Sequence, residues 1–291
     1  MNTLTKTLTA ASTAALLALA PAATLPAQAG DLSQVVKDDE RVAPEGERTV
    51  IDQGHVDLGF VLTEDGPQLL ARDDSQVQPV WRRLDDVVFQ VGDSALQALP
   101  ENDEFEFVGA GAGDSVWVVP QVEAPGVPWL GWNTQSPTLQ DQVDRGVTME
   151  VTGHSGDGEA ALFLQNGGLE PPTILWSTTG AGEGDFWVDL NTHTHANWTF
   201  SQPGTHLVEL TVSAELVGGE TVTASQAVRF AVGDSASTDD AFGASLPADA
   251  GADSAEPASG ARPALYIGIG VAGLALLALV LFLTFRRSGR D

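Results

Sequence analysis

The side chains of this sequence that are best suited to metal chemistry are its histidines. The chain has five of them, and His193 and His195 are separated by a single residue. If residues 191–200 are extended, side chains two positions apart leave the same face of the strand. Both imidazoles can then reach one ion at roughly 2.0–2.1 Å, the usual Zn–N distance. The H-x-H pair therefore predicts part of a metal site.

Two further histidines are predicted to lie on outward faces of strands. Apolar side chains occupy every second position from residue 56 to residue 62, so His55 and Asp57 fall on the opposite face. By the same alternation His154 follows a set of outward positions. Three or four neutral imidazoles with one carboxylate suit Zn²⁺, and also Cu²⁺, Ni²⁺ or Mn²⁺. The expected metal ligands are His193, His195, His55 and His154.

The alternative interpretation is that these histidines are ordinary surface residues that bond to neighbouring loops. The sequence leaves open whether the strands that carry them meet. His206 shares its parity with Val208 and Leu210, and we expect it to pack inside instead of binding metal.

Catalytic chemistry finds little support in the sequence. The segment Gly153-His154-Ser155-Gly156 resembles a nucleophile elbow, but Asp157 stands where that motif requires glycine. No pattern combines a nucleophile, a base and an orienting group. We therefore expect no enzymatic activity.

Two tryptophans suggest a different kind of binding site. Trp129 and Trp132 lie in a segment that also contains proline and glycine, which predicts an exposed loop. Aromatic side chains on such a loop can anchor a sugar or a protein. The alternative function is therefore a surface module that binds cell-wall glycan or a protein partner.

The elements that position these residues are predicted to be strands. Apolar and polar side chains alternate in several segments, and glycine and proline separate them. This pattern predicts an all-β ectodomain built as an antiparallel β-sandwich. The polar stretch 135–144 suggests a first β unit at 30–140 and a second unit, with the H-x-H pair, at 145–233. One continuous sandwich is the alternative.

The two ends of the chain have the composition of targeting and membrane segments. Residues 1–29 combine a basic start, an apolar run and a small-x-small ending, which predicts a cleaved signal peptide. Residues 234–262 predict an acidic disordered spacer. Residues 263–285 carry no charge and are long enough to cross a bilayer, and the arginines of 286–291 predict a cytoplasmic tail. We expect a single-pass protein of the cell membrane with its ectodomain outside.

The composition excludes two classes of interaction. The formal net charge is −27, and this charge repels the phosphates of nucleic acids. The chain has no cysteine, so it has neither disulfide bonds nor thiolate metal ligands.

Three ordered motifs carry a resemblance to a known family. They are residues 54–59 (GHVDLG), residues 116–133 with WVVPQ and WLGWN, and residues 193–205, which follow the pattern H-x-H-x-x-W-x-F-x-x-P-G-x. In these motifs the chain resembles actinobacterial surface-anchored proteins called choice-of-anchor M domain proteins. The resemblance implies surface display and an association with an ABC-type uptake system for metal ions such as zinc or manganese. We therefore expect a non-enzymatic surface protein that binds a divalent metal, with Zn²⁺ favoured.

Overall fold

The computed structural model describes residues 34–247, apart from residues 77, 168 and 169. The predicted signal peptide, membrane span and basic tail lie outside the described residues, as does most of the predicted spacer. Within residues 34–247, no helix has the length and apolar character needed to cross a membrane.

The described chain consists mainly of strands, which confirms the all-β prediction. In chain order the strands are β1 Arg41–Val42, β2 Thr49–Ile51, β3 Gly54–Thr63, β4 Gly66–Asp73, β5 Val80–Arg83, β6 Val87–Val91, β7 Leu96–Ala98, β8 Ser115–Val119, β9 Pro128–Asn133, β10 Val143–Ser155, β11 Ala160–Leu164, β12 Thr173–Ser177, β13 Asp185–Asp189, β14 His193–His195, β15 Asn197–Phe200, β16 Gly204–Leu216 and β17 Thr221–Val232. The α-helices are α1 Pro137–Gln142 and α2 Thr238–Gly243, and short 3-10 helices span Leu84–Asp86, Asp93–Ala95 and Asp103–Val108.

The described strands form three sheets. Their orders are β1-β5-β4-β3-β9-β14 in the first sheet, β13-β10-β16-β17-β6-β2 in the second and β12-β11-β15-β8-β7 in the third. Each sheet combines strands from before residue 140 with strands from after residue 145. The predicted division into two β units is therefore wrong. Alternation is a local signal, and it carries no information about which strands pair.

The sheets are mixed, and this corrects the prediction of purely antiparallel pairing. β3 and β9 run parallel, with His55 opposite Trp129 and Asp57 opposite Gly131. The pairs β1–β5, β2–β6 and β6–β17 are also parallel. Parallel neighbours need a long connection between them, and residues 64–127 supply it for β3 and β9.

One apolar core is shared by all three sheets. β3 contributes Val56, Leu58 and Phe60, which are 0%, 1% and 3% exposed. β15 contributes Trp198 and Phe200, which are both 1% exposed. Burying a large apolar side chain contributes about 1.5–3 kcal/mol relative to leaving it exposed. Because side chains alternate along a strand, anchoring β3 in this way turns its polar residues to the opposite face.

The segment that follows β17 is folded where a disordered spacer was predicted. α2 begins after Ser237, whose hydroxyl accepts a hydrogen bond from a backbone N–H of the first turn. Ala241 is fully buried, and the guanidinium of Arg48 lies 4.9 Å from the ring centre of Phe242. Ala241 and Phe242 dock this short helix against the rest of the fold. The surrounding sequence is rich in Ala, Ser and Asp, and this composition led to the prediction of disorder.

Candidate metal site

Three neighbouring strands of the first sheet build the candidate site. Asp57 on β3 lies opposite Gly131 on β9, and Gly131 lies opposite His195 on β14. A Cβ atom at Gly131 would be 2.8 Å from two atoms of the His195 ring and 2.5 Å from the carbonyl oxygen of Thr194. Glycine at this position in the middle strand therefore makes room for the imidazole.

This strand pairing brings together four side chains, His55, Asp57, His193 and His195, which we call the His/Asp cluster. Their ligand atoms all lie within 4.8 Å of one another. The side chains of Asp57, His193 and His195 are 0%, 3% and 1% exposed, and that of His55 is 16% exposed. Three of the four expected ligands, His193, His195 and His55, therefore lie together, which answers a question that the sequence left open.

The ligand atoms of the cluster lie at the corners of a nearly regular tetrahedron. The Nε2 atom of His55 is 3.1 Å from that of His193 and 3.1 Å from that of His195, and the last two atoms are 3.2 Å apart. Asp57 Oδ1 is 3.4, 3.1 and 3.5 Å from the Nε2 atoms of His55, His193 and His195. The centre of such a tetrahedron is about 2.0 Å from each corner, a typical metal–ligand distance in four-coordinate protein sites. The cluster can hold one metal ion.

Two ligands of the cluster have the protonation state that a metal requires, and His55 does not. Burial opposes a charge on His55, but hydrogen bonds to Asp57 and Asp74 raise its pKa to about 9. Burial also opposes ionisation of Asp57, but hydrogen bonds with His193 and His55 hold its pKa below the ordinary value. Burial lowers the pKa of His195 to about 3, and the charges of His55 and His193 add to this effect. Asp57 is therefore an anion and His195 a neutral imidazole, the states that a metal requires, whereas His55 carries a proton at neutral pH that a bound ion would displace.

Polar and aromatic neighbours fix two of the ligands in place. Gln34 Nε2 donates to Asp57 Oδ2 at 2.6 Å, and Asn133 Nδ2 donates to the same oxygen at 3.2 Å. The indole of Trp129 stacks on the imidazole of His195, with ring centres 4.0 Å apart and an interplanar angle of 17°. Partners of this kind orient ligands and strengthen metal binding.

A network of charged groups lies beside the cluster. Asp74 Oδ2 is 3.5 Å from His55 Nδ1 and also pairs with Arg72. The Arg72 guanidinium binds both carboxylate oxygens of Glu40, at 2.7 and 2.8 Å. Asp57, Asp74 and Glu40 bring three negative charges and Arg72 one positive charge, which leaves two negative charges in excess when the histidines are neutral. A divalent cation would balance this excess, as buried charge requires a partner.

His154 is not part of the cluster, so its predicted role as a fourth ligand is wrong. It lies on β10 of the second sheet, and its Nε2 is 3.2 Å from Nδ1 of His206 on β16. His206 Nε2 donates to the carbonyl of Gln202 at 3.0 Å, which makes His206 Nδ1 the acceptor and His154 Nε2 the donor. Burial and then the charge of His206 lower the pKa of His154 to about 4. Its predicted outward face is also wrong, because the register shifts between Val151 and Gly153 and brings His154 opposite Val208, a residue of the core.

The predicted exposed tryptophans are buried, which removes the basis of the proposed partner-binding loop. Trp129 and Trp132 lie on β9 and are 4% and 3% exposed. The Nε1 atom of Trp129 donates to the carbonyl of Gln121 at 3.0 Å, and Trp132 packs into the core on the other face. The proline and glycine of this segment belong to a buried strand. Trp187, on the edge strand β13, is 52% exposed.

Sequence reasoning missed four residues that contribute to the site. Asp57 is the fourth candidate ligand, and a signal for it existed, since it stands two positions from His55 on the same strand face. Gln34, Asn133 and Asp74 carry no such signal. Their contacts depend on how the segment before β1 and the strands β9 and β4 are placed around β3.

Comparisons with models of protein families, with curated proteins and with solved structures gave no match to the chain. The resemblance to choice-of-anchor M domain proteins therefore stays a prediction. The assignment of a function depends on the geometry of the His/Asp cluster.

Proposed function

We propose that this protein is a non-enzymatic surface protein that binds one divalent metal ion, Zn²⁺ in preference to others, in the His/Asp cluster. The observation that carries the proposal is the near-regular tetrahedron of three imidazole nitrogens and one carboxylate oxygen. Structural Zn²⁺ sites are almost always tetrahedral, with Zn–N distances of about 2.0–2.1 Å. Cu²⁺ favours tetragonal sites and Mn²⁺ favours octahedral oxygen sites, so the cluster suits them less well.

The number of protein ligands supports binding over catalysis. Catalytic zinc sites keep a coordination position open for water or substrate, whereas the His/Asp cluster provides four protein ligands. His55 is the most exposed of the four, at 16%, and is therefore the ligand past which an ion enters or leaves.

We also propose that the site is displayed outside the cell and supplies metal to an ABC-type uptake system. The predicted signal peptide at 1–29 and the predicted span at 263–285 support this location, and the family resemblance supports this partner. The large core that the three sheets share supports a β-sandwich as the architecture of the ectodomain. Adhesion through Trp129 and Trp132 loses its support because both side chains are buried.

Calorimetric titration of the metal-free full-length protein with Zn²⁺ tests the proposal. We expect one ion per chain, and X-ray absorption of the complex should show four nitrogen or oxygen ligands at about 2.0–2.1 Å. Asp57→Asn keeps the size of the ligand and removes its charge. It should weaken Zn²⁺ binding by more than the roughly 10–100-fold that the loss of an outer-shell partner costs.

His154→Ala is the matched control for this titration because His154 lies outside the cluster. This variant should bind Zn²⁺ as the unmodified protein does. Weak binding of equal strength in the unmodified protein and in Asp57→Asn would contradict the proposal, because it would indicate adsorption to the acidic surface.

A further inference from the structure

The two oxygens of Asp57 have different environments. Oδ1 faces the three imidazoles, at 3.1 Å from the Nε2 atom of His193. Oδ2 accepts hydrogen bonds from the amides of Gln34, at 2.6 Å, and Asn133, at 3.2 Å. The side chain of Asp57 is 0% exposed, so water does not compete for either oxygen. One oxygen is directed to the ion and the other is occupied by the protein.

The orientation of the Gln34 amide is determined by its two partners. Arg72 Nη1 donates to Gln34 Oε1 at 2.6 Å, and an arginine can only donate. The Gln34 nitrogen must therefore face Asp57, whose carboxylate can only accept. Arg72 is itself held by two contacts with Glu40, at 2.7 and 2.8 Å. The amide donor is thus fixed by a buried guanidinium and does not depend on a flexible surface side chain.

We propose that Gln34 and Asn133 are positioning residues that hold Asp57 to a single metal-binding oxygen and thereby select a four-coordinate ion. The inference rests on the proposed metal binding and adds the origin of its selectivity. For Asp57 to bind through both oxygens, it must rotate and break both amide hydrogen bonds. Ions that require more oxygen ligands, such as Mn²⁺ and Ca²⁺, are disfavoured by the same contacts.

The two amides approach Asp57 from independent parts of the fold. Asn133 is the last residue of β9, next to β3 in the sheet, and is 3% exposed. Gln34 precedes β1, so the segment before the first strand covers the site face of β3. A metal site made only from the strands β3 and β14 would leave Oδ2 of Asp57 free. The segment that contains Gln34 therefore contributes to the coordination number of the ion.

The test compares the full-length protein with Gln34→Met, with Asn133→Leu and with the double variant, using Co²⁺, Zn²⁺ and Mn²⁺ as probes. These substitutions remove the amides and change the side-chain volume little. Four-coordinate Co²⁺ absorbs visible light strongly, and five- or six-coordinate Co²⁺ absorbs weakly. In the double variant we expect loss of the strong absorption, roughly 10–100-fold weaker Zn²⁺ binding and a smaller ratio of Zn²⁺ to Mn²⁺ affinity.

Gln68→Met is the matched control, because Gln68 contacts Thr63 on the opposite end of β3. It should keep the Co²⁺ spectrum of the unmodified protein. An unchanged spectrum with unchanged affinities in the double variant would overturn the inference, and so would a lower melting temperature with an unchanged spectrum. If Asn133→Leu prevents folding, Gln34→Met alone carries the test, since Gln34 lies outside the sheet. Failure of the unmodified protein to bind Co²⁺ or Zn²⁺ would instead reject the proposed function.

Discussion

The His/Asp cluster joins histidines on β3 and β14, which lie on either side of β9, whereas the His154/His206 pair joins histidines on the adjacent strands β10 and β16. In both sites the facing ring nitrogens are 3.1–3.2 Å apart. The two sites differ in the groups that surround the rings. In the cluster, Asp57 and Asp74 lie next to the imidazoles. In the pair, His206 Nε2 donates to a backbone carbonyl, and His206 Nδ1 accepts from His154 Nε2.

This difference gives the two sites opposite electrostatic properties. Carboxylates outweigh the effect of burial on His55 and raise its pKa to about 9. Burial dominates at His154 and lowers its pKa to about 4. The first site therefore attracts positive charge, which either protons or a metal ion can supply, and the second excludes it. In the described part of this chain, the histidines that could hold a metal ion are those in direct contact with carboxylates.

The largest expected effect that separates the two sites is the stability gained from Zn²⁺. A ligand present at about 1,000 times its Kd stabilises the folded state by roughly 4.1 kcal/mol. We expect this gain in the unmodified protein and in His154→Ala, and we expect none in the double variant His193→Ala/His195→Ala. Thermal unfolding with Zn²⁺ and with a chelator measures it. Equal stabilisation of the double variant would place the ion somewhere other than the cluster.

The second expected effect concerns the space over Gly131. Gly131→Ala would bring a Cβ atom to 2.5 Å from the Thr194 carbonyl oxygen and 2.8 Å from the His195 ring. Such overpacking costs about 1–3 kcal/mol, and it should also displace His195 and weaken Zn²⁺ binding. Denaturant unfolding and calorimetry measure the two effects.

Gly218→Ala is the control for this substitution, because no atom lies within 4 Å of a Cβ atom built at Gly218. It should leave both stability and metal binding close to those of the unmodified protein. Equal behaviour of the two alanine variants would show that the imidazole does not need the space over Gly131.

Part of the fold and of the site could be predicted from the sequence. The alternation of side chains along β3 and the H-x-H spacing identified His55, His193 and His195 and their common orientation, since both are properties of a single strand. The alternation could not identify β9 as the strand between them. Its proline and glycine are typical of a loop, yet all six residues of β9 are buried. The error with Trp129 and Trp132 has this origin.

The remaining features of the site depend on contacts between distant segments. His154 was grouped with the other histidines by strict alternation along its strand. A register shift between Val151 and Gly153 turns it to the face of Val208, and its strand belongs to another sheet. Gln34 reaches Asp57 over a separation of 23 residues, and Asn133 reaches it over 76 residues. Parallel pairing and crossover connections determine these contacts, and local patterns do not encode them.

The smallest expected effect is a dependence of stability on pH that originates at the His154/His206 pair. The folded-state pKa of His154 is about 4, below its ordinary value of 6.5. Between these two values the unfolded state binds more protons than the folded state, so stability rises with pH across this window and then levels off. His206 shares the effect, because burial also lowers its pKa. The charge of Glu159 raises the pKa of His154 and so limits the size of this pH dependence.

His154→Gln isolates this contribution, because glutamine can still donate a hydrogen bond to His206 Nδ1 but does not titrate. Denaturant unfolding of both proteins in the presence of a chelator, from about pH 4 to pH 8, measures the difference. We expect the unmodified protein to lose stability more steeply than the variant below about pH 6.5, the ordinary histidine pKa. Above that pH the difference between the two proteins should be constant. Parallel curves throughout would mean that His154 is protonated equally in the folded and unfolded states, and the contrast with His55 would then disappear.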